Sequence, residues 1–260
     1  MPNALVVFLP PSEAKVPGGD AVRADGRFDA ALRRSRREVA LALYDFVRSA
    51  PPERLATTLN ARGPLLKRAV SAAKQIATHR APLLPAWQRY SGVVWTHLDP
   101  STLSEEQRSR LLVPSGLYGL TSSDDLIADY RLRMNVGLPG LGNVGTFWRT
   151  RLVAALSSCP PSTTFVNLLP KEHESALDLE LLGNTSDVVN VMFSQRGGAA
   201  AGHDAKAVKG VLARRLLQDG IGVLESFDWH EWRVSHEDGA VTIVGPQVAR
   251  AGVRATRHDD

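Results

Sequence analysis

Near its start the chain carries an unbroken apolar run, Leu5-Val6-Val7-Phe8-Leu9, stopped by Pro10-Pro11. Continuous rather than alternating apolarity marks a strand covered on both faces, and the prolines forbid its extension. The run therefore predicts a buried strand in a mixed α/β fold. It ends in a rigid loop that carries a hydroxyl, a carboxylate and an ammonium within a few residues: Ser12, Glu13 and Lys15. Strand ends in mixed sheets are where ligands usually bind, so this loop is the first candidate site. A surface ion pair on a proline-stiffened turn would carry the same residues.

The rest of the chain reads as helices and strands in mixture. Phe28, Leu32, Val39, Leu43, Phe46 and Val47 recur at helical spacing up to Pro51-Pro52. The Arg33-Arg34-Ser35-Arg36-Arg37 run on that helix reads as a solvated outer face. Further helices are expected at 53–60, 65–78, 86–97, 145–156 and 206–217. Strands are expected at 111–113, 164–168 and 188–193, with a hairpin over 232–244 around Glu237-Asp238-Gly239. Thr121-Ser122-Ser123-Asp124-Asp125 has the composition of a helix N-cap. With no repeat or composition break, residues 1–246 are expected to form one domain and 247–260 a frayed tail.

The 260 residues are 43% hydrophobic and 22% charged, a globular balance large enough to fold without staples. A single cysteine, Cys159, rules out an internal disulfide and fits a reducing compartment. No apolar run approaches the roughly 18 residues of a membrane span, and the N-terminus lacks signal-peptide character. The expectation is a cytoplasmic protein with no membrane contact. Of 31 basic residues only six are lysines. Where almost every basic position is Arg, a retained Lys suits a task that needs a compact ammonium or a neutral amine.

Four more segments carry chemistry. Asp129-Tyr130-Arg131-Leu132-Arg133-Met134 alternates polar and apolar residues, and Arg131 offers a planar fork to an anion or to an internal partner. Leu138-Pro139-Gly140-Leu141-Gly142, followed by an apolar helix, has the form of a helix–hairpin–helix turn. There Gly140 and Gly142 would let backbone approach a DNA phosphate, with Arg149 and Arg151 beyond. Lys171-Glu172-His173-Glu174 follows a strand and offers Glu172 as a general base, although acids at a helix start would look the same. Lys206 and Lys209 share the first turn of a strong helix, where cations oppose the dipole unless an anion sits there. The chain lacks a phosphate-binding P-loop, a nucleophile elbow, paired cysteines and a metal-binding histidine spacing. No cofactor and no metal are expected, and His230-Glu231 near Asp228 is a poor metal set.

Taken in order, Leu9-Pro10-Pro11-Ser12-Glu13-Ala14-Lys15, Ser115-Gly116-Leu117-Tyr118-Gly119, Tyr130-Arg131-Leu132-Arg133-Met134, Phe147-Trp148, Asn167-Leu168 and Ala205-Lys206-Ala207-Val208-Lys209-Gly210 resemble the YaaA family of peroxide-stress proteins. The resemblance spans residues 5 to about 235. It implies a single domain of that family's fold, a positively charged cleft, a helix–hairpin–helix element, DNA binding and a role in limiting iron-driven damage. By motif position it assigns Ser12, Glu13, Lys15, Arg131, Glu172, Lys206 and Lys209 to the cleft. Ala14 stands where the family typically has Gly, and Pro170-Lys171-Glu172-His173 departs from the family's Glu-Tyr pattern.

Two functions follow as expectations. One is a stress protein that binds DNA or another phosphate-bearing ligand; a net charge of +4 permits a basic groove without demanding one. The other is an enzyme that cleaves or exchanges the base–ribose bond of a nucleotide or nucleoside. Its phosphate anchors would be Lys15, Arg131, Lys206 and Lys209, with Glu13 or Glu172 as acid–base groups. Direct iron sequestration has little support in the ligand spacing.

Overall fold

In the computed structural model, which describes residues 4–20, 24–196, 204–237 and 240–246, the opening apolar run becomes β1 (Leu5–Phe8), buried along its whole length. Three helices follow: α1 (Asp29–Ser49), α2 (Pro52–Thr58) and α3 (Gly63–Ala77), with α1 packed on α3. Then come β2 (Leu83–Pro85), α4 (Ala86–Arg89), α5 (Val93–Leu98) and α6 (Glu105–Ser109). Strands β3 (Leu111–Ser115), β4 (Gly119–Ser122) and β5 (Leu126–Ala128) lead to the short pair β6 (Gly137–Leu138) and β7 (Gly142–Asn143), then to α7 (Val144–Leu156). The second half holds β8 (Thr164–Asn167), α8 (Lys171–Glu174), α9 (Leu179–Gly183), β9 (Asp187–Gln195), α10 (Asp204–Asp219) and α11 (Val223–Ser226). It ends in β10 (Asp228–Trp229), β11 (Trp232–Glu237) and β12 (Ala240–Gly245).

The main sheet is mixed, in the order β10-β11-β12-β9-β8-β1-β3-β4. Its centre, from β12 through β9, β8 and β1 to β3, is parallel, and antiparallel strands close both edges. Phe8 and Phe165, on paired strands, stack at 5.3 Å between ring centroids. The buried apolar side chains form one contiguous cluster that reaches from β1 to Ile243 of β12. Strand β1 lies between β8 and β3, all three parallel, so their carboxyl ends open at the same edge. From β1 the chain returns to the sheet on one side, as β3. From β8 it continues on the other, as β9. That reversal leaves a crevice where loops diverge, the usual ligand position in open α/β sheets.

Several expectations need correction. The helix expected over 86–97 is two helices, α4 and α5, broken at Tyr90-Ser91-Gly92. Gly92 adopts φ 136°, closed to other L-residues without strain, and Tyr90 is drawn into an antiparallel bridge with Lys15. Thr121 and Ser122 belong to β4 rather than to a helix cap; the Asp125 carboxylate accepts the Ser122 N–H at 3.0 Å and the Arg27 N–H at 2.9 Å. The arginine run on α1 is not uniformly solvated. Arg33 and Arg34 make exposed ion pairs, but Arg36 turns inward to Asp29 and to the Tyr118 carbonyl. Leu138–Gly142 is a short β-hairpin with a helix only after it, so the turn is not flanked by two helices. The expected tail from 247 lies outside the described residues.

Helix α10 packs closely on α5 through Gly210. A Cβ there would lie 2.3 Å from the Val94 carbonyl oxygen and 2.8 Å from the Leu98 nitrogen. Alanine favours helix by about 1 kcal/mol over glycine, but this crowding involves backbone atoms that cannot swing aside. Gly210→Ala is expected to destabilise the protein by about 1–3 kcal/mol in urea unfolding. A neutral or stabilising result would show that the two helices can separate.

Candidate functional site

The loops leaving β1 and β8 meet over the sheet's carboxyl edge and enclose a cavity of about 90 Å³. Pro11, Ser12, Glu13 and Lys15 come from the first loop, and Glu172 and His173 from the short helix α8 that the second loop enters. Tyr130, Arg131 and Arg133, on the extended segment between β5 and β6, supply the third wall. A second, wider cavity of about 490 Å³ adjoins it. Glu13, Lys15, Tyr130 and Arg131 line both, so Lys15 stands at their junction.

The Lys15 loop is held like a strand. The Ser91 N–H donates to the Ala14 carbonyl at 3.0 Å, and the Val16 N–H donates to the Arg89 carbonyl at 2.9 Å. The Ser12 hydroxyl donates to the Ser91 carbonyl, and the absence of a Cβ at Gly92 leaves room for that hydroxyl. Beneath this contact the fully buried Arg89 guanidinium donates to the carbonyls of Val16, Pro82 and Ile127. The Lys15 amine donates to the Ser12 carbonyl at 2.5 Å and lies 4.2 Å from the Tyr130 ring centroid and 5.4 Å from that of Tyr90. The Tyr90 and Tyr130 hydroxyls are 2.9 Å apart, and Ser115 extends the buried chain at 2.7 Å. Burial pushes the Lys15 amine down to about 7, and the nearby Arg131 and Arg89 add to that, against the pull of Asp129 and Glu13.

The two candidate carboxylates differ in kind. Glu13 is tied down: it pairs with Arg131 at 3.1 Å and accepts from Asn60 at 3.1 Å. The Glu172 carboxylate lines the cavity without a hydrogen-bond or ion-pair partner among the described residues. The arginines divide similarly. Arg131 spends its fork on the Leu59 and Asn60 carbonyls and on Glu13. Arg133, also lining the cavity, has a buried Nε with no partner. His173 Nδ1 is likewise buried and unpartnered, and burial followed by repulsion from Lys209 and Lys15 lowers the imidazole to about 4. It is therefore neutral at pH 7. Two orphaned polar atoms on one cavity are costly unless a ligand or water meets them.

Lys209 reaches the Leu168 carbonyl at 2.6 Å and sits 4.8 Å from the Phe193 ring centroid, behind the β8 loop. Burial lowers it to about 8, opposed by Glu174. Lys206, expected beside it, is exposed and lines neither cavity. Gly140 and Gly142, with φ of 74° and 81°, lie on the exposed β6–β7 turn away from the cavities. At the start of α7 the N–H groups of Val144, Gly145 and Thr146 already donate to Val136, Met134 and the Asn143 side chain. Arg149 pairs with Asp178, and Arg151 lies over the Phe147 ring. The residues missed by sequence reasoning are Arg133, Tyr90 and the Tyr130 hydroxyl; His173 was visible only as a titratable group. No group of three or more metal-ligating side chains occurs among the described residues.

The depressed Lys15 sets a pH signature. Between about pH 7 and the ordinary lysine range the unfolded chain binds a proton that the folded chain does not. Stability therefore rises with pH across that window. Lys15→Met is expected to stabilise the protein at pH 7 and to flatten its stability between pH 7 and 10 in urea titrations. The gain should be roughly 1–2 kcal/mol, below the full value of the shift because the residue is only half-buried. A loss of stability at pH 7 would show that the amine is held charged and paired.

The chain resembles known sequences over most of its length. Residues 5–238 match the family model described as Peroxide stress protein YaaA. A UPF0246 protein of Streptomyces coelicolor is 29% identical over 223 residues, covering 83% of this chain and 84% of that protein. One from Corynebacterium efficiens is 28% identical over 221 residues, covering 82% and 84%. One from Aliivibrio fischeri (strain MJ11) is 32% identical over 176 residues, covering 62% and 67%. With the family match running from the start of β1 through β11, the chain belongs to the peroxide stress protein YaaA family.

Proposed function

We propose that this peroxide-stress family member is an enzyme acting on a nucleotide or nucleoside, with base–ribose bond cleavage or exchange as its reaction. The observation that carries this reading is a pair of buried polar atoms without partners, Arg133 Nε and His173 Nδ1, on residues that line one cavity together with Lys15 and with Glu172, whose carboxylate has no partner among the described residues. A site built only to hold phosphate favours solvated, fully charged lysines. Here burial depresses both Lys15 and Lys209, which weakens them as passive anchors and suits acid–base or nucleophilic work. In this reading Glu172 moves the proton, Arg133 rather than the occupied Arg131 anchors the ligand's anionic group, and neutral His173 orients its polar edge. Glu13 and Arg131 brace the loop. Lys206 remains a candidate only for contacts outside the cavities.

Glu172→Gln is expected to lower turnover of a responsive nucleotide by at least about 100-fold while shifting its dissociation constant less than about threefold. The measurement is release of free base from a panel of nucleosides and nucleotides, paired with calorimetric binding. Equal losses in binding and turnover would make Glu172 structural.

The DNA-binding reading uses the exposed β6–β7 turn with Gly140 and Gly142, and Arg149 and Arg151 on α7. The observation favouring it is that both glycines face open space and could let a phosphate approach backbone. Anisotropy with labelled duplex should then fall steeply as salt rises, and Arg149→Ala/Arg151→Ala should flatten that slope. Salt-independent binding, or none, removes this reading.

A further inference from the structure

We infer that Lys15 is a covalent nucleophile that forms an imine with the sugar C1′ carbon of its substrate. The inference rests on the nucleoside reading and adds the identity of the attacking group. Its ground is placement. The amine is at the junction of two cavities, one about 90 Å³ and one about 490 Å³, so a substrate lying across both presents its middle to Nζ. The amine packs on the faces of Tyr130 and Tyr90, and its hydrogen bond goes to a neutral carbonyl, that of Ser12. The nearest acids are engaged elsewhere, Glu13 with Arg131 and Asp129 with Arg68. The cations Arg131 and Arg89 and the neutral His173 also surround it, with Glu172 and Arg133 on the wall of the smaller cavity and Arg68, paired with Asp129, on that of the larger. An amine caged this way has lost the hydration and counter-ion that would keep it an ammonium, and a neutral amine is the form that attacks carbon.

The chemistry balances with no added reagent. The Nζ lone pair bonds C1′ as the C1′–base bond breaks, and the base leaves with the bonding electrons and one amine proton, relayed by Glu172. The C1′–O4′ bond then opens, O4′ takes the second amine proton, and C1′=Nζ remains. Water adds to the imine and releases the sugar aldehyde with the free amine. An aldehyde sugar enters the same sequence directly: Nζ bonds its carbonyl carbon, and the oxygen departs as water. Tyr90, which lines neither cavity, is a positioning residue here: its ring holds the amine from behind, while the Tyr130 ring both holds the amine and lines the path of the substrate.

The test is reductive trapping of the full-length protein with 2-deoxyribose 5-phosphate and sodium cyanoborohydride, read by intact mass and peptide mapping. The expected result is one adduct on Lys15, formed at least about tenfold faster than on any other lysine. Its rate should rise with pH and reach half its plateau near pH 7, in keeping with the depressed amine. Lys15→Arg should abolish the adduct. Because the mapping is done on the wild-type chain, the result does not depend on that variant folding. Labelling spread evenly over the six lysines, or no reduction-dependent adduct, overturns the inference. The two readings separate: base release without Lys15 trapping removes the imine and keeps the nucleoside reaction. Lys15 trapping without base release keeps the nucleophile and removes the base–ribose step.

Discussion

The buried guanidinium of Arg89 organises the ligand edge of this fold. It collects the carbonyls of Pro82 and Ile127, at the paired strands β2 and β5, and joins to them that of Val16 from the first loop. A buried charge with so many polar partners is expensive to assemble and more expensive to break, because removing any carbonyl strands the rest. Its effect is geometric. It fixes the backbone after Lys15 against the break between α4 and α5, and so aligns the Lys15–Tyr90 bridge. With that bridge formed, the amine lies against the rings of Tyr130 and Tyr90.

The same frame divides the polar side chains into those that hold the site and those left to act. Arg131 and Glu13 satisfy one another and the 59–60 turn, which keeps the first loop from collapsing into the crevice. Arg133 and His173, two residues and one strand end away, are spared such partners. Burying unmet polar atoms opposes folding, and so does burying Lys15. Arg110 Nε and Asp124 Oδ2 are also buried without partners, away from the cavities, but only at this one do two such atoms adjoin a lysine whose charge burial disfavours, and costs gathered in that way are the usual imprint of a functional site.

How far the sequence foretold this depends on the kind of information involved. The β1 run and its prolines are local signals, so the strand and the Ser12–Lys15 loop were legible. The alternation over 129–134 correctly separated buried Tyr130, Leu132 and Met134 from the polar positions. It could not separate Arg131 from Arg133. Two residues apart on extended backbone, they share a side, and only the distant Leu59 and Asn60 carbonyls decide which is occupied. Lys206 and Lys209 show the helical equivalent. Three residues turn a helix by about 300°, so the pair straddles the margin of the buried face, and Lys206 is exposed while Lys209 is half-buried and reaches the Leu168 carbonyl just past β8. The break at Gly92 was hidden for a related reason. One glycine in a helical pattern is tolerated unless a tertiary partner, here Lys15, pulls the preceding residue into a bridge.

The electrostatics also constrain how a charged ligand would lie. A phosphate set against Lys15 would draw a proton onto the amine, since a nearby anion favours the charged form and would undo much of what burial achieves. A site that keeps this amine neutral must place the ligand's anionic group farther off, against a cation that cannot lose its proton. Arg133 meets that requirement: guanidinium stays charged at any physiological pH, and its buried Nε lacks a partner. His173 stands with it on the wall of the same cavity, neutral and therefore no competitor for the anion. The arginine excess of the chain, uninformative as composition, acquires a physical meaning at this one position. Lysine at 133 would titrate with the site, whereas arginine holds charge while Lys15 gives it up.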